Sequence, residues 1–139
     1  MTLMLQTLFF EDLSIGMRDA FDKTVMASDV VGFAEVSGDR NPIRLSEHFA
    51  AKTPFKTRIA HGLYTASLIS ALLGTRLPGP GAIYLSQSLH FRAPVKIGDT
   101  LCIYTDIVKT GNTSMTLQVE AWAQRYLSPK MEKVTHAMF

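Results

Sequence analysis

Two short stretches of this chain carry residue types suited to chemistry. The first is Gly38-Asp39-Arg40-Asn41-Pro42. A carboxylate held in a loop, as Asp39 would be, can serve as a general base if burial or a neighbour tunes it. The same residues also read as a helix stop followed by a turn, and spacing alone favours that plainer reading. The second stretch is His61-Gly62, at the head of an apolar run. The first turn of a helix leaves backbone N–H groups unpaired at its positive end, where they can receive an anion or a polarised carbonyl oxygen. Gly62 would let a substrate approach the backbone closely or, equally, let a helix pack tightly on a sheet. For His61 the plainer reading is a hydrogen-bonded histidine at a helix entry. Ser67 and Ser70, further along, belong to a type that usually bonds its own helix backbone.

Other chemistries find little support. His48, His61, His90 and His136 have no ligand spacing, and no cysteine or carboxylate pairing completes a metal site. Phosphate-loop, dinucleotide and nucleophile-elbow motifs are absent. The net charge is only +2 and the basic residues are scattered, so the footprint of a nucleic-acid binder is missing. The single cysteine, Cys102, excludes an intrachain disulfide, fits a reducing compartment and is expected to be a small buried strand residue. The apolar start MTLMLQTLFF lacks a basic head and runs straight into Glu11 and Asp12, so a signal peptide is discounted and the cytoplasm is the expected location.

The elements that must position these residues follow from periodicity. At 139 residues, 47% of them hydrophobic, the chain can bury one core, and no linker divides it, so residues 1–139 are expected to form a single domain. The first dozen residues suggest an irregular arm and Ser14 to Gly16 a turn. Alternation over residues 21–26 predicts a strand. Ser28 as N-cap, Asp29 in the first turn and an apolar face of Val30, Val31, Phe33, Ala34 and Val36 predict a helix ending at Ser37-Gly38. A second short helix is predicted from Ser46 to Lys52. Ile59 to Thr75 has too many apolar positions to leave a wet face, yet is too short and too interrupted to span a membrane, so it reads as a buried helix stopped by Gly74. Alternation then predicts strands over 83–92, 101–107, 115–122 and 134–139. Helices early and strands late make an α+β protein whose antiparallel sheet wraps the central apolar helix. Its unpaired edges would be relieved by continuing the sheet across a dimer.

Three motifs in order carry a resemblance. Val36-Ser37-Gly38-Asp39-Arg40-Asn41-Pro42-Ile43, then Ile59-Ala60-His61-Gly62-Leu63, then residues 85–95 (LSQSLHFRAPV) followed by Gly98-Asp99, together resemble the MaoC-like (R)-specific enoyl-CoA hydratases from about Phe10 onward. The resemblance implies a hot-dog fold, usually as a homodimer. It implies addition of water to a trans-2-enoyl-CoA to give the (R)-3-hydroxyacyl-CoA, with no cofactor beyond the CoA of the substrate and with neither nucleic acid nor membrane as partner. By residue, it puts the catalytic carboxylate on Asp39 and the oxyanion N–H on Gly62. Asn41, which helps set the loop, His61 and Ser70 fall among the substrate-binding positions.

One position departs from the family pattern Asp-x-Asn-Pro-x-His, whose last residue is here Arg44. A histidine can shuttle a proton near neutral pH, whereas a guanidinium only donates hydrogen bonds. Arg44 is therefore expected to impair or alter turnover, by orienting water or by weakening Asp39 as a base. As substitutes for the missing histidine, His48 is expected to face solvent and His61 not to reach without rearrangement. Two alternatives follow: an acyl-CoA-binding protein that has lost the chemistry, and a hot-dog thioesterase. Arg58, Arg92 and Lys96 are candidates for the CoA phosphates, with solvated surface charges as the plainer reading.

Overall fold

The computed structural model describes residues 8, 10–128 and 130–139. Most of the expected N-terminal arm lies outside them. Phe10–Asp12 forms one 3-10 turn, and Ser14 to Gly16 turns into strand β1 (Arg18–Thr24). Helices α1 (Ala27–Ser37), α2 (Pro42–Leu45), α3 (Glu47–Ala51) and α4 (Gly62–Thr75) follow, and then strands β2 (Ser88–Phe91), β3 (Thr100–Thr110), β4 (Met115–Gln124) and β5 (Met131–Met138). All five strands join in one antiparallel sheet of order β1-β3-β4-β5-β2.

The inward-facing alternation is clean. Leu101, Ile103 and Ile107 on β3 and Leu117, Val119, Ala121 and Ala123 on β4 are buried in one cluster with Ile69, Leu72 and Leu73 of α4. Alanines at 121, 123 and 137 leave the depth a helix needs to lie against the sheet. A register shift after Ala121 lets Val134 join the inward face of β5. The Arg76 guanidinium meets Asp19 at 2.9 Å and ties the end of α4 to β1.

Several expectations need correction. The cap of α1 is Met26, not Ser28: the Asp29 carboxylate reaches back to accept from Met26 N at 2.8 Å. Only Val30 and Ala34 of the expected apolar face are buried, and Val31 and Val36 are exposed. Residues 42–45, read as turn, form a one-turn helix because Asn41 Oδ1 accepts from Ile43 N and Pro42 occupies the first position. Helix α4 runs through Gly74 to Thr75. It is also less enclosed than expected, since Leu63, Ser67, Ser70 and Gly74 form an open stripe. The long strand expected over 83–92 pairs only from Ser88, because β5 ends opposite it and, among the described residues, 82–87 have no strand beside them. Cys102 is half-buried on the outer face of β3, opposite Asp22, not in the core; burial above all, with Asp22, pushes its thiol up from the ordinary value.

Candidate active site

Gly38 ends α1 in the left-handed region (φ 80°), where its N–H bonds Ala34 O, and the chain turns directly into Asp39. The Asp39 side chain is 50% exposed, so its carboxylate is open to solvent and to ligand. Its Oδ1 accepts from Asn41 N at 3.2 Å, and its own N–H donates to Ser37 Oγ at 3.1 Å. Asn41 spends its side-chain oxygen on capping α2, which makes it part of the loop's framework.

Arg44 projects from α2 toward the segment before α4. Its Nη1 donates to Ala60 O at 2.8 Å and to Ile59 O at 3.4 Å, and its buried Nε has no partner. Burial pulls the guanidinium below its ordinary value, against the opposing pull of the Asp39 charge. The same segment is held elsewhere too: Ala60 N donates to Val95 O, and Arg58 Nε donates to Arg44 O at 2.6 Å.

His61 caps α4 and lies against Asp39. Its Nε2 is 2.9 Å from Asp39 O and 3.9 Å from Asp39 Oδ2. The ring is 3% exposed and packs on Phe33 with centroids 4.9 Å apart; its Nδ1 is buried without a partner. Gly62 opens the helix, and a Cβ there would meet the Phe91 ring of β2 at 2.9 Å. Tight helix–sheet packing thus accounts for this glycine, while its place in the first turn keeps the N–H free of an intrahelical partner.

The structure brings Asp39, Asn41, Arg44, His61 and Gly62 together and sets Ser70 apart. Ser70 is about 12 Å further along the helix axis. It lines a groove of about 1010 Å³ with Leu73, Tyr84, Met115, Leu117 and Phe139, and Asp39, Arg44, His61 and Gly62 are not among that groove's walls. The Tyr84 phenol there is pushed up by burial, against a hydrogen bond with Ser70. His48 is exposed, as expected. Of the proposed phosphate ligands, Arg58 is committed to Arg44 O and lies 4.0 Å from Glu47, whereas Arg92 is exposed. Phe33 and Phe91, which frame His61 and Gly62, gave no sequence signal beyond their apolar periodicity.

With this geometry in view, comparison with known proteins gives a consistent result. The MaoC like domain matches residues 14–129. The chain belongs to this family. This MaoC-like chain is 65% identical over 105 residues to the 3-hydroxybutyryl-CoA dehydratase of Methylorubrum extorquens, covering 76% of this chain and 67% of that protein. It is 56% identical over 93 residues to the (R)-specific enoyl-CoA hydratase of Rhodospirillum rubrum, covering 67% and 65%. It therefore spans about two thirds of the length of these two relatives. Among solved structures, R-hydratase PhaJ1 from Pseudomonas aeruginosa, in its unliganded form, superposes with a TM-score of 0.84 at 37% identity, covering 92% of this chain and 80% of that one. The fold is the hot-dog fold of the R-hydratases, as the sheet around α4 requires.

Proposed function

We propose that this chain is an (R)-specific enoyl-CoA hydratase/dehydratase that interconverts trans-2-enoyl-CoA and (R)-3-hydroxyacyl-CoA. The observation that carries this reading is the apposition of an accessible carboxylate and the head of α4: His61, the residue before Gly62, has its Nε2 3.9 Å from Asp39 Oδ2. In the hydration direction Asp39 takes a proton from water and the water oxygen bonds to C3. The electron pair of the double bond moves onto the thioester as an enolate, whose oxygen is met by the Gly62 N–H at the positive end of α4. A proton returned to C2 completes the addition. Arg44 cannot supply it near neutral pH, so Asp39 returns the proton it removed. The CoA enters as part of the substrate, and no further cofactor takes part.

The experiment follows loss of the enoyl-thioester absorbance over a series of chain lengths in the native protein, Asp39→Asn and Arg44→His. Asp39→Asn is expected to lower turnover by about two to four powers of ten. If neither the native protein nor Arg44→His hydrates any chain length, the reading fails. The guanidinium's engagement with the Ile59 and Ala60 carbonyls favours one other reading, an acyl-CoA-binding protein without chemistry, which predicts binding with no Asp39-dependent turnover. Thioester hydrolysis would instead release free thiol.

The working unit in this reading is a homodimer in which each copy contributes one MaoC-like domain. The open stripe on α4 and the exposed Ile83 and Leu85 on an unpaired extended segment support it, since both would be covered by a second copy. Cytoplasmic location fits the lone cysteine and a CoA-linked substrate. Among the described residues no helix is long and apolar enough to cross a membrane.

A further inference from the structure

His61 is almost fully buried, and it is the one histidine whose ring reaches the Asp39 loop. The atom it reaches there, at 2.9 Å, is a main-chain carbonyl oxygen, which can only accept. Nε2 therefore carries a proton, and donates it, whenever the contact is made. Nδ1 is buried without a partner, and the ring packs on Phe33. A buried ring whose Nε2–H is committed to a main-chain carbonyl is well suited to hold a neighbour still.

The hold continues on both sides. Behind His61, Arg44 Nη1 binds the carbonyls of Ile59 and Ala60, the two residues that lead into it, and Ala60 N is fixed to Val95 O. Ahead of it, the Asp39 carboxylate accepts from Asn41 N, so the loop's own bonds set the side chain once the main chain is set. Holding the Asp39 carbonyl thus fixes the carboxylate, and His61, which holds it, is also the N-cap residue of the helix that begins at Gly62.

We propose that His61 is a positioning residue that locks the Asp39 loop to the head of α4 through its Nε2–H and the Asp39 carbonyl, with Arg44 bracing the backbone from which His61 projects. On this account Arg44 serves geometry at a position where the family pattern has an acid/base group. The catalytic part of the proposal rests on the hydratase reading; the mechanical part does not.

The test compares His61→Leu, His61→Gln and His61→Asn with the native protein, using trans-2-butenoyl-CoA for steady-state kinetics and amide hydrogen exchange across residues 38–41. Glutamine can extend an N–H to about the Nε2 position, whereas asparagine stops short of it. Leucine and asparagine are expected to lower kcat by roughly tenfold to a hundredfold, the range that a small misplacement of a reacting group produces, with KM within about twofold. Both should quicken exchange across 38–41, and glutamine should recover most of the kcat and of the protection. A rise in KM at unchanged kcat would make His61 a substrate contact and overturn the proposal. So would glutamine behaving like leucine, or unchanged exchange in His61→Leu. Should the leucine variant fail to fold, the glutamine–asparagine pair decides by the same criteria. If neither the native protein nor Arg44→His hydrates any chain length, the hydratase reading falls, while the exchange measurements still decide whether His61 holds the loop.

Discussion

At Gly62 there is room for a hydrogen on the side facing β2 and for little else, because an added methyl would stand 2.9 Å from the Phe91 ring. That ring is 52% exposed and can swing outward, so Gly62→Ala is expected to fold with a stability loss near the low end for overpacking, about 1 kcal/mol. The displaced ring and the new methyl both crowd the approach to the Gly62 N–H. The kcat/KM for trans-2-butenoyl-CoA should therefore fall by about tenfold or more. Adding Phe91→Leu should recover much of it; no recovery would mean that the ring is not the obstacle. At this scale the turn at Asp39 and the helix start at Gly62 leave local marks in the sequence. Those marks alone favour a plain turn for the first and are even for the second; the three-motif resemblance is what proposes them as site residues. The nearness of His61 to Asp39 was not legible, since 22 positions separate them and only the packing of Phe33 and the α2 bonds bring them together.

Helix α1 shows where reading by residue type misleads about elements. Ser28 has the right chemistry for an N-cap, yet Asp29 does the work by accepting from Met26 N at 2.8 Å and pairing with Lys23 at 3.2 Å. Asp29→Ala is accordingly expected to cost about 1–2 kcal/mol in urea unfolding, whereas Ser28→Ala should stay within about 0.5 kcal/mol. The reverse ranking would restore Ser28 as the cap. Element type was legible wherever the apolar period was long, as in α4, β3 and β4. The limits of β2 were not, because alternation over 83–91 reports which way side chains point and not whether a neighbouring strand is there to pair. Likewise α2 is a single turn, too short for periodicity to register.

Across the whole molecule, Asp99 marks where distant segments are pinned. It is 2% exposed, accepts from Lys96 N and pairs with Arg125, which also reaches Glu132 at 3.0 Å and Pro94 O at 2.9 Å. In sequence Gly98-Asp99 was legible only as part of a motif; its structural task needs β4 and β5 in place. Arg125→Met would leave the carboxylate buried without its counter-charge and is expected to cost about 3 kcal/mol. Adding Asp99→Asn should return part of that, as thermal or urea unfolding of the three proteins would reveal; a double variant less stable than Arg125→Met would remove the charge argument. The position of α4 in the chain has a temporal consequence as well. Its apolar residues are translated before β3, β4 and β5, the strands that enclose them, and β1 cannot pair until β3 exists. At elongation rates of about 5–20 residues/s the last of those strands follows roughly 3–13 s after the helix is made. Folding of this hot-dog is thus governed by non-local closure, and the nascent helix is a natural client for a chaperone that shields apolar segments until the sheet arrives.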